Sequence, residues 1–171
     1  MLEGKKVRLR PTELKDSKKF IAWNNNPSID KYFLNSLELT TIVEEKSKKD
    51  VLFIIEILDT AKPVAIGCTG LHQIDWIDHC ATFAIIIENP SHWKKGYGTE
   101  AAHLLIRYGF EIFNFDYITS NVFACNKRSI ALHKKVGFDI KEVRQKAIHK
   151  NGSLQDIIIF ALSRKSYQAQ K

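Results

Sequence analysis

The spacing of apolar residues in this sequence changes near residue 90, and that change limits the folds open to the chain. Before it, the stretches 51–58, 64–74 and 79–87 are short, apolar and rich in β-branched residues, which is typical of consecutive strands. After it, apolar residues recur with helical spacing over about four turns, at Ala101, Leu104, Leu105, Tyr108, Ile112 and Phe113. The sequence therefore predicts a protein that combines strands and helices.

Weaker signals extend the pattern in both directions. A strand is predicted at Val7–Leu9, which Pro11 ends, and a helix from Asp16 or Ser17 to about residue 25. A less regular helix is predicted near Leu39–Lys49. The C-terminal part predicts a strand, a short helix and a hairpin, in this order: Tyr117–Ala124, a helix that begins at Asn126 and ends at Gly137, and two strands joined at Asn151-Gly152.

The predicted order of elements is β-α-α-β-β-β-α-β-α-β-β, and residues 1–171 are expected to form one domain because no linker or repeat divides them. Strands that follow one another directly favour antiparallel pairs, whereas a strand reached through a long helix favours a parallel pair. The predicted fold class is therefore α+β (mixed α/β), with a twisted, mostly antiparallel central sheet that contains one parallel step.

Composition and charge exclude several classes of protein. The longest apolar runs, Val51–Ile55 and Ile157–Leu162, are far shorter than the roughly 20 residues of a membrane-spanning helix. No secretory pattern follows the first residues, so the sequence predicts a cytoplasmic protein with no membrane partner. The net charge of +7 comes from basic residues spread along the chain, which favours a solvated basic surface over a nucleic-acid site.

Cysteine and histidine positions give no metal-binding pattern. The sequence has 3 cysteines and 6 histidines, with no Cys-x-x-Cys pair and no cysteine close to a histidine in a metal-ligand pattern. Cys68, Cys80 and Cys125 lie in apolar, strand-like contexts, so they are predicted to be buried free thiols. No metal ligand is predicted.

The most informative segment, SHWKKGYGTEA at residues 91–101, lies between a predicted strand and the long helix. Gly96 and Gly98 permit unusual backbone angles and close approach of a ligand, and the first N–H groups of the following helix lack partners within it. The helix dipole and the charges of Lys94 and Lys95 favour an anion there. The segment predicts a pyrophosphate site, although a simple glycine turn before a helix has the same spacing.

Several motifs, taken in order, resemble the GNAT superfamily of N-acetyltransferases, and within it the RimJ/RimL branch that acetylates the N-termini of ribosomal proteins. They are spread over nearly the whole chain: Val7-Arg8-Leu9-Arg10-Pro11 followed by Trp23, Gly67 through Asp75-Trp76, Trp93-Lys94-Lys95-Gly96-Tyr97-Gly98-Thr99-Glu100-Ala101, Asn126-Lys127-Arg128-Ser129-Ile130 with Lys135-Val136-Gly137-Phe138, and Asn151-Gly152 with Asp156. Many GNAT enzymes begin the loop with Gln or Arg, whereas the RimJ/RimL branch commonly has tryptophan, as here at Trp93. The resemblance implies a GNAT fold, with a sheet that splays at its parallel step and about four flanking helices.

The resemblance also implies acetyl-CoA as the donor and a primary amine as the acceptor. The loop residues expected to bind its pyrophosphate are Trp93, Lys94, Lys95, Gly96, Tyr97, Gly98 and Thr99. The pantetheine arm runs beside the preceding strand in this family, and the matching positions are Ile85, Ile86 and Ile87. Asn126 and Ser129 are expected to face the pantetheine from the second helix, where Asn126 equally suits a helix N-cap.

One histidine is a candidate for the catalytic acid. His133 shares a helix face with Asn126 and Ser129. It stands where relatives that include spermidine acetyltransferases carry the tyrosine that protonates the leaving thiolate, and an imidazolium can do the same. A half-exposed surface histidine is the alternative interpretation.

The base and the oxyanion donor are less well defined. Glu88, Asp75 and His72 lie near the ends of the central strands and are candidates for the base, and each also suits a structural role. Direct attack of the amine in a ternary complex is expected. A strand N–H at Ile86 or Ile87 is expected to stabilise the oxyanion.

The acceptor is the point that the sequence leaves most open. A protein or peptide N-terminal α-amine is favoured, since its deprotonation at neutral pH costs about 1 kcal/mol, against about 4 kcal/mol for an amine of pKa near 10. The first alternative is that the acceptor is a small-molecule amine, either a polyamine or an antibiotic. Polyamine-acetylating relatives carry a glutamate where this chain has Thr82, and the acidic candidates for a polycation are Asp30, Glu44 and Glu45. The second alternative is a non-catalytic acyl-CoA or RNA-binding module, and a homo-oligomer is compatible with all three.

Overall fold

A computed structural model of the protein describes residues 1–24, 26, 29 and 49–170. Within these ranges eight strands form one sheet, in the spatial order β1-β2-β3-β4-β5-β6-β8-β7. Their bounds are β1 Leu2–Glu3, β2 Val7–Pro11, β3 Val51–Ile57, β4 Val64–Asp75, β5 Cys80–Ile87, β6 Tyr117–Phe123, β7 Asp139–Lys150 and β8 Ser153–Ser163. β5 and β6 pair in parallel, and every other neighbouring pair is antiparallel. The predicted mixed sheet with one parallel step is confirmed.

Four helices flank the sheet in the described part of the chain, as expected. Their bounds are α1 Ser17–Asn24, α2 Tyr97–Glu111, α3 Lys127–Lys135 and α4 Arg164–Ala169, and short 3-10 turns precede α1 and α2 at Leu14–Asp16 and Pro90–His92. The α+β class is confirmed. The helix predicted near Leu39–Lys49 and the acidic candidates Asp30, Glu44 and Glu45 lie outside the described residues, apart from Lys49.

Two elements were not predicted, and the end of the long helix was misplaced. β1 and α4 were not predicted, because one has only two residues and the other is short and mostly polar. The long helix ends at Glu111, two residues before the end of its predicted apolar face. Ile112 is consequently 66% exposed, whereas Phe113 leaves the helix and packs edge-on against Tyr108.

Both faces of the central sheet are buried. Along β3, Phe53, Ile55 and Ile57 pack in the core that α2 covers, whereas Leu52 and Ile54 pack on the other face with Phe20 and Trp23 of α1. The two sets alternate because successive side chains of a strand point to opposite faces. The sheet is therefore a middle layer between α2 on one side and α1 on the other.

A buried ion network attaches the turn before α1 to the sheet. Arg10 of β2 binds Asp16 through two hydrogen bonds of 2.7 and 2.8 Å, and its Nε donates to Glu56 of β3 at 2.8 Å. Arg8 donates to the other Glu56 oxygen at 2.7 Å. Hydrogen bonds from Arg10 hold the pKa of Asp16 far below its ordinary value against the opposing effect of burial. The Arg8-Leu9-Arg10 motif thus has a structural explanation in this network.

The cysteines differ in exposure. Cys68 is buried, and burial raises the pKa of its thiol. Cys80 is partly exposed and Cys125 is exposed, so the prediction of three buried thiols was wrong for these two. Cys125 follows β6 in the turn before α3, where the strand-like pattern has already ended.

Candidate active site

The parallel strands β5 and β6 stay together over only three residue pairs. Cys80, Ala81 and Thr82 pair with Tyr117, Ile118 and Thr119, and the register continues no further. β5 runs on to Ile87 with β4 as its partner, while β6 continues beside β8. The two strands therefore enclose a V-shaped gap whose vertex lies just after Thr82 and Thr119.

Hydrogen bonds show which backbone groups of β5 face this gap. Glu88 N–H donates to Ile66 of β4 at 3.0 Å, so residues 84, 86 and 88 direct their backbone groups towards β4. The carbonyls of Phe83 and Ile87 accept from the opposite side, from Ser120 Oγ at 2.9 Å and Trp93 Nε1 at 3.0 Å. Ile85 and Ile87 consequently present backbone to the gap, whereas the Ile86 backbone is directed at β4.

A close strand contact fixes the open end of β5. Gly67 of β4 pairs with Ile87, and a Cβ atom added to Gly67 would overlap the Ile86 carbonyl oxygen. Only glycine permits this approach. β4 therefore supports the backbone of the residues that were expected to bind the pantetheine.

The glycine loop lies beside that open end. Gly96 is the N-cap of α2 in a left-handed conformation, with φ +88°, and provides no side-chain cap. The first helical amides, at Tyr97, Gly98 and Thr99, therefore lack partners within the helix. A Cβ added to Gly98 would lie 3.2 Å from the Ile87 side chain, which places these amides at the mouth of the gap. The loop and the strand predicted to bind one ligand are brought together.

The N-terminal turn between β1 and β2 also reaches this loop. Glu100 accepts the backbone N–H groups of Lys5, Lys6 and Val7 at 2.7, 2.8 and 3.0 Å. Lys6 Nζ then donates to the Lys95 carbonyl at 3.2 Å. Lys6 adds a cation beside the exposed Lys94 and Lys95, and sequence analysis missed it because no local pattern connects residue 6 with residue 95.

Two predicted loop residues have side chains with structural partners. Trp93 packs against the α1-side core as well as donating to Ile87, and the Arg128 guanidinium of α3 lies over its ring, 3.1 Å from the centroid. The Tyr97 hydroxyl donates to Asp59 in the β3–β4 turn at 2.8 Å, which raises the pKa of the phenol. Trp93 and Arg128 thus connect the mouth of the gap to α3.

Asn126 is the N-cap of α3. Its side-chain oxygen accepts the Ser129 N–H at 3.1 Å, which confirms the capping interpretation. The backbone carbonyl of Ser129 also accepts a hydrogen bond, from the side chain of His133 one helical turn later.

His133 is buried, with 2% of its surface exposed. Its Nδ1–H donates to the Ser129 carbonyl at 2.7 Å, and its Nε2 lies 2.8 Å from Ser120 Oγ. Burial lowers the pKa of the imidazole, and the contact with Ser129 opposes this only in part. The alternative interpretation, a half-exposed surface histidine, was therefore wrong.

The three base candidates lie in different places. Asp75 ends β4 at the hairpin opposite the open end of β5, where its carboxylate accepts from the amides of Ile77 and Asp78, which lowers its pKa. His72 pairs in register with Thr82, and its Nδ1 lies 3.3 Å from Asp50. Only Glu88 directly follows the open end of β5.

Glu88 lies on the α1 face of the sheet. Alternation along β5 gives it the same face as Ile86, which packs in the α1-side core. Asn26, just beyond α1, donates from Nδ2 to both the carbonyl and the carboxylate of Glu88 at 3.3 Å. Of the three candidates, Glu88 is therefore the carboxylate that borders the gap.

Within the described residues, no group of three or more His, Cys, Asp or Glu side chains is arranged to hold a metal ion. The same residues contain no helix long and apolar enough to cross a membrane.

Comparisons with known proteins agree with this geometry. Residues 6–139 match the family model described as "Acetyltransferase (GNAT) domain". Spermidine N(1)-acetyltransferase of Escherichia coli K12 is 27% identical over 96% of this chain and 89% of its own length. An uncharacterized N-acetyltransferase of Bacillus subtilis, YoaA, is 24% identical over 95% of this chain and 96% of its own.

A solved structure shows the same fold. Spermidine N-acetyltransferase of Vibrio cholerae, in complex with CoA and spermine, superposes with a TM-score of 0.83 at 25% identity, over 95% of this chain and 98% of the other. These comparisons give no support to the RimJ/RimL subtype. Because the family match extends over most of the chain and the splayed sheet and glycine loop lie within it, the protein belongs to the GNAT family of N-acetyltransferases.

Proposed function

We propose that the protein transfers the acetyl group of acetyl-CoA to a primary amine of a small polyamine of the spermidine type. The observation that carries this proposal is the similarity to spermidine N-acetyltransferases over nearly the whole chain, in sequence and in fold. It replaces the N-terminal α-amine as the preferred acceptor. GNAT acetyltransferases use acetyl-CoA, which is therefore the expected donor.

Position 82 lies in the short paired region of β5 and β6, where Thr82 Oγ1 is 3.2 Å from Thr119 Oγ1. The proposal of a polyamine rests on the comparisons. The absence of a glutamate at this position is the argument against it that the acceptor panel tests directly.

The residues present suit the chemistry of acetyl-CoA. The amides of Tyr97, Gly98 and Thr99, with Lys6 nearby, suit its pyrophosphate, because unpaired N–H groups at a helix N-terminus attract anions. The backbone groups of Ile85 and Ile87 that face the gap suit its pantetheine amides. Bound there, acetyl-CoA supplies the acetyl group as a thioester.

The amine is proposed to approach from the α1 face, where Glu88 lies. A polyamine is largely protonated at neutral pH, and removing one proton from an amine of pKa near 10 costs about 4 kcal/mol. The Glu88 carboxylate, held by Asn26, attracts the ammonium group and receives its proton, directly or through water. The backbone N–H of Ile85 or Ile87 faces the gap and is positioned to donate to the developing oxyanion.

The acceptor is tested by measuring CoA release with a readout that does not depend on thiols, since Cys80 and Cys125 are at least partly exposed. The panel contains spermidine, spermine, N-terminal peptides, aminoglycosides and no acceptor. We expect the highest kcat/KM with spermidine or spermine. A higher kcat/KM with peptides contradicts the proposed acceptor, and failure to bind acetyl-CoA contradicts the proposed donor.

Two variants test the site, each with a matched control. Gly96→Ala is expected to weaken acetyl-CoA binding, because a left-handed conformation costs a non-glycine residue about 1–2 kcal/mol. Gly152→Ala, at φ +76° in a hairpin turn with open space around it, is expected to leave binding unchanged. Equal weakening by both changes would contradict a role for the loop.

Glu88→Gln is expected to lower kcat with spermidine by on the order of 10²-fold, the range of general base catalysis. The exposed Glu3→Gln is its control. The loss is expected to shrink at high pH, because the free amine then forms without a base. A pH-independent loss would assign Glu88 to polyamine binding alone.

A further inference from the structure

A chain of side-chain hydrogen bonds closes the vertex of the β5–β6 gap. The first residues beyond the paired region are Phe83 and Ser120, and they are connected through the Ser120 hydroxyl, 2.9 Å from the Phe83 carbonyl. His133 Nε2 lies 2.8 Å from the same hydroxyl, and His133 Nδ1 lies 2.7 Å from the Ser129 carbonyl. The chain thus joins β5, β6 and α3 at the point where the strands separate.

Aromatic packing fixes the imidazole in this position. The rings of Phe83, Phe138 and Phe160 lie with their centroids 5.6, 5.3 and 5.0 Å from that of His133. The side chains in contact with the imidazole, those three rings with Ser120 and Ser129, carry no charge. His133 is therefore an internal support between strands and helix.

The direction of the protons excludes an acid role for His133 in this arrangement. A carbonyl can only accept, so the short contact with Ser129 places the ring proton on Nδ1. In the neutral ring the other nitrogen, Nε2, has a lone pair and faces Ser120, whose single hydroxyl proton is shared between Nε2 and the Phe83 carbonyl. Neither nitrogen presents a proton to the gap, so a leaving thiolate would not be protonated from this ring.

We infer that His133 is a positioning residue: through Ser120 it fixes where β5 and β6 separate, and so it places the backbone of Ile85 and Ile87 for the thioester. This inference rests on the proposed acetyl transfer. Phe83 and Ile85 both direct backbone groups to the β6 side, and they are two residues apart on one strand. A shift of the Phe83 carbonyl therefore moves the groups that bind and polarise the thioester.

Four variants separate positioning from acid catalysis. His133→Gln keeps an amide near the place of Nε2, and His133→Asn keeps one near the place of Nδ1. We expect His133→Gln to retain most of kcat, because it preserves the contact with Ser120. His133→Asn and Ser120→Ala should each lower kcat by on the order of 10²-fold, as misplaced reacting groups do. The double variant Ser120→Ala/His133→Asn should lose no more than either change alone.

An acid role gives the opposite pattern. Gln and Asn would then lower kcat equally, and Ser120→Ala would have little effect; either result overturns the inference. The exposed His103 provides matched controls, His103→Gln and His103→Asn, which should leave kcat unchanged. Acetyl-CoA affinity should change much less than kcat in all variants at position 133, since the pyrophosphate site lies at the other end of the gap.

Hydrogen exchange provides a readout that needs no acceptor. In Ser120→Ala we expect faster exchange at Ala84 and Ile86, whose backbone groups are directed towards β4, and unchanged exchange in α2, with the thermal unfolding midpoint as a check that the fold persists. The kinetic series uses whichever amine the wild-type protein acetylates, so a wrong acceptor does not affect it. If no amine is acetylated, the exchange result alone decides: unchanged exchange at Ala84 and Ile86 overturns the inference.

Discussion

The two buried polar clusters of this protein differ in charge and in the number of protons available to them. The network of Arg8, Arg10, Asp16 and Glu56 carries full charges, and both of its carboxylates accept hydrogen bonds from arginine. The chain formed by Phe83, Ser120, His133 and Ser129 is neutral. Two of its three contacts end on carbonyls, those of Phe83 and Ser129, and the Ser120 hydroxyl and the neutral imidazole supply only one proton each for all three.

The difference lies in how firmly the protons are placed, not in how firmly the side chains are held. Moving a charged partner out of the first network leaves a buried charge uncompensated, which is costly. In the second cluster the Ser120 proton can point to Phe83 or to His133 without a side chain leaving its place. The charged network therefore holds the turn before α1 rigidly, whereas the neutral chain lies where the strands that accept acetyl-CoA diverge.

The largest effect is expected from breaking the charged network. Arg10→Ala leaves the fully buried Asp16 without its main partner, and such a loss destabilises a protein by about 3–5 kcal/mol. The measurement is the free energy of unfolding from urea titration. Lys15→Ala, which breaks the exposed pair with Glu13, is the control and should cost at most about 1 kcal/mol. Similar losses for both variants would show that burial of the network contributes nothing.

Breaking the neutral chain should cost less. Ser120→Ala leaves the Phe83 carbonyl and His133 Nε2 without their partner, and unsatisfied buried groups cost about 1–3 kcal/mol. Ser129→Ala keeps the backbone carbonyl that binds His133 and should change stability by within about 0.5 kcal/mol. Both values come from the same urea titrations. A larger loss from Ser120→Ala than from Arg10→Ala would reverse the comparison.

The two clusters should also lose their contributions to folding stability in different pH ranges. The folded protein lowers the pKa of His133 below 6.5 and that of Asp16 below 3.8, so the unfolded chain binds more protons in both cases. Stability from His133 is present above pH 6.5 and is lost as pH falls through its folded pKa. Stability from Asp16 is present above pH 3.8 and is lost only in stronger acid.

Unfolding free energy measured from pH 8 to pH 3 should therefore show two declines. His133→Gln should flatten the first one. It will not remove it fully, because burial also lowers the pKa of His103. A first decline that His133→Gln leaves unchanged would mean that His133 does not titrate differently on unfolding.

The smallest effect is expected at the rim of the charged network. Lys19 contacts Asp16 at 3.3 Å, but its side chain is 44% exposed. Exposed pairs contribute about 0–1 kcal/mol, so Lys19→Ala should barely change the urea midpoint. The small effect should fade further in 1 M salt, because salt screens exposed charges. A loss comparable to that of Arg10→Ala would contradict the view that Arg10 is the main partner of Asp16.

Local patterns predicted the fold well because each depends on residues close in sequence. The helical spacing from Ala101 to Tyr108, the hairpin dipeptide Asn151-Gly152 and the left-handed Gly137 all appear in the structure. The end of α2 was misplaced since Ile112 and Phe113 continue the helical spacing although the backbone turns away after Glu111.

The candidate site was only partly predictable, because its contacts join distant parts of the chain. Helical spacing correctly placed Ser129 and His133 on one helix face. It could not show that this face packs against β6, with Ser120 in contact with His133. Likewise, the order of strands placed Asp75 near a strand end without showing which end. The Glu100 carboxylate under the N-terminal turn has no signature in local sequence at all.

The close contact between Gly67 and the Ile86 carbonyl limits which mutations the protein tolerates at position 67. Any single-base change that replaces this glycine introduces a side chain, and every side chain begins with the Cβ atom for which there is no room. A random library selected for acetyl transfer should therefore retain glycine at position 67. The same library should accept aspartate in place of Gly152, because aspartate is one of the residues that visit the left-handed conformation and nothing lies within 4 Å of the added Cβ atom.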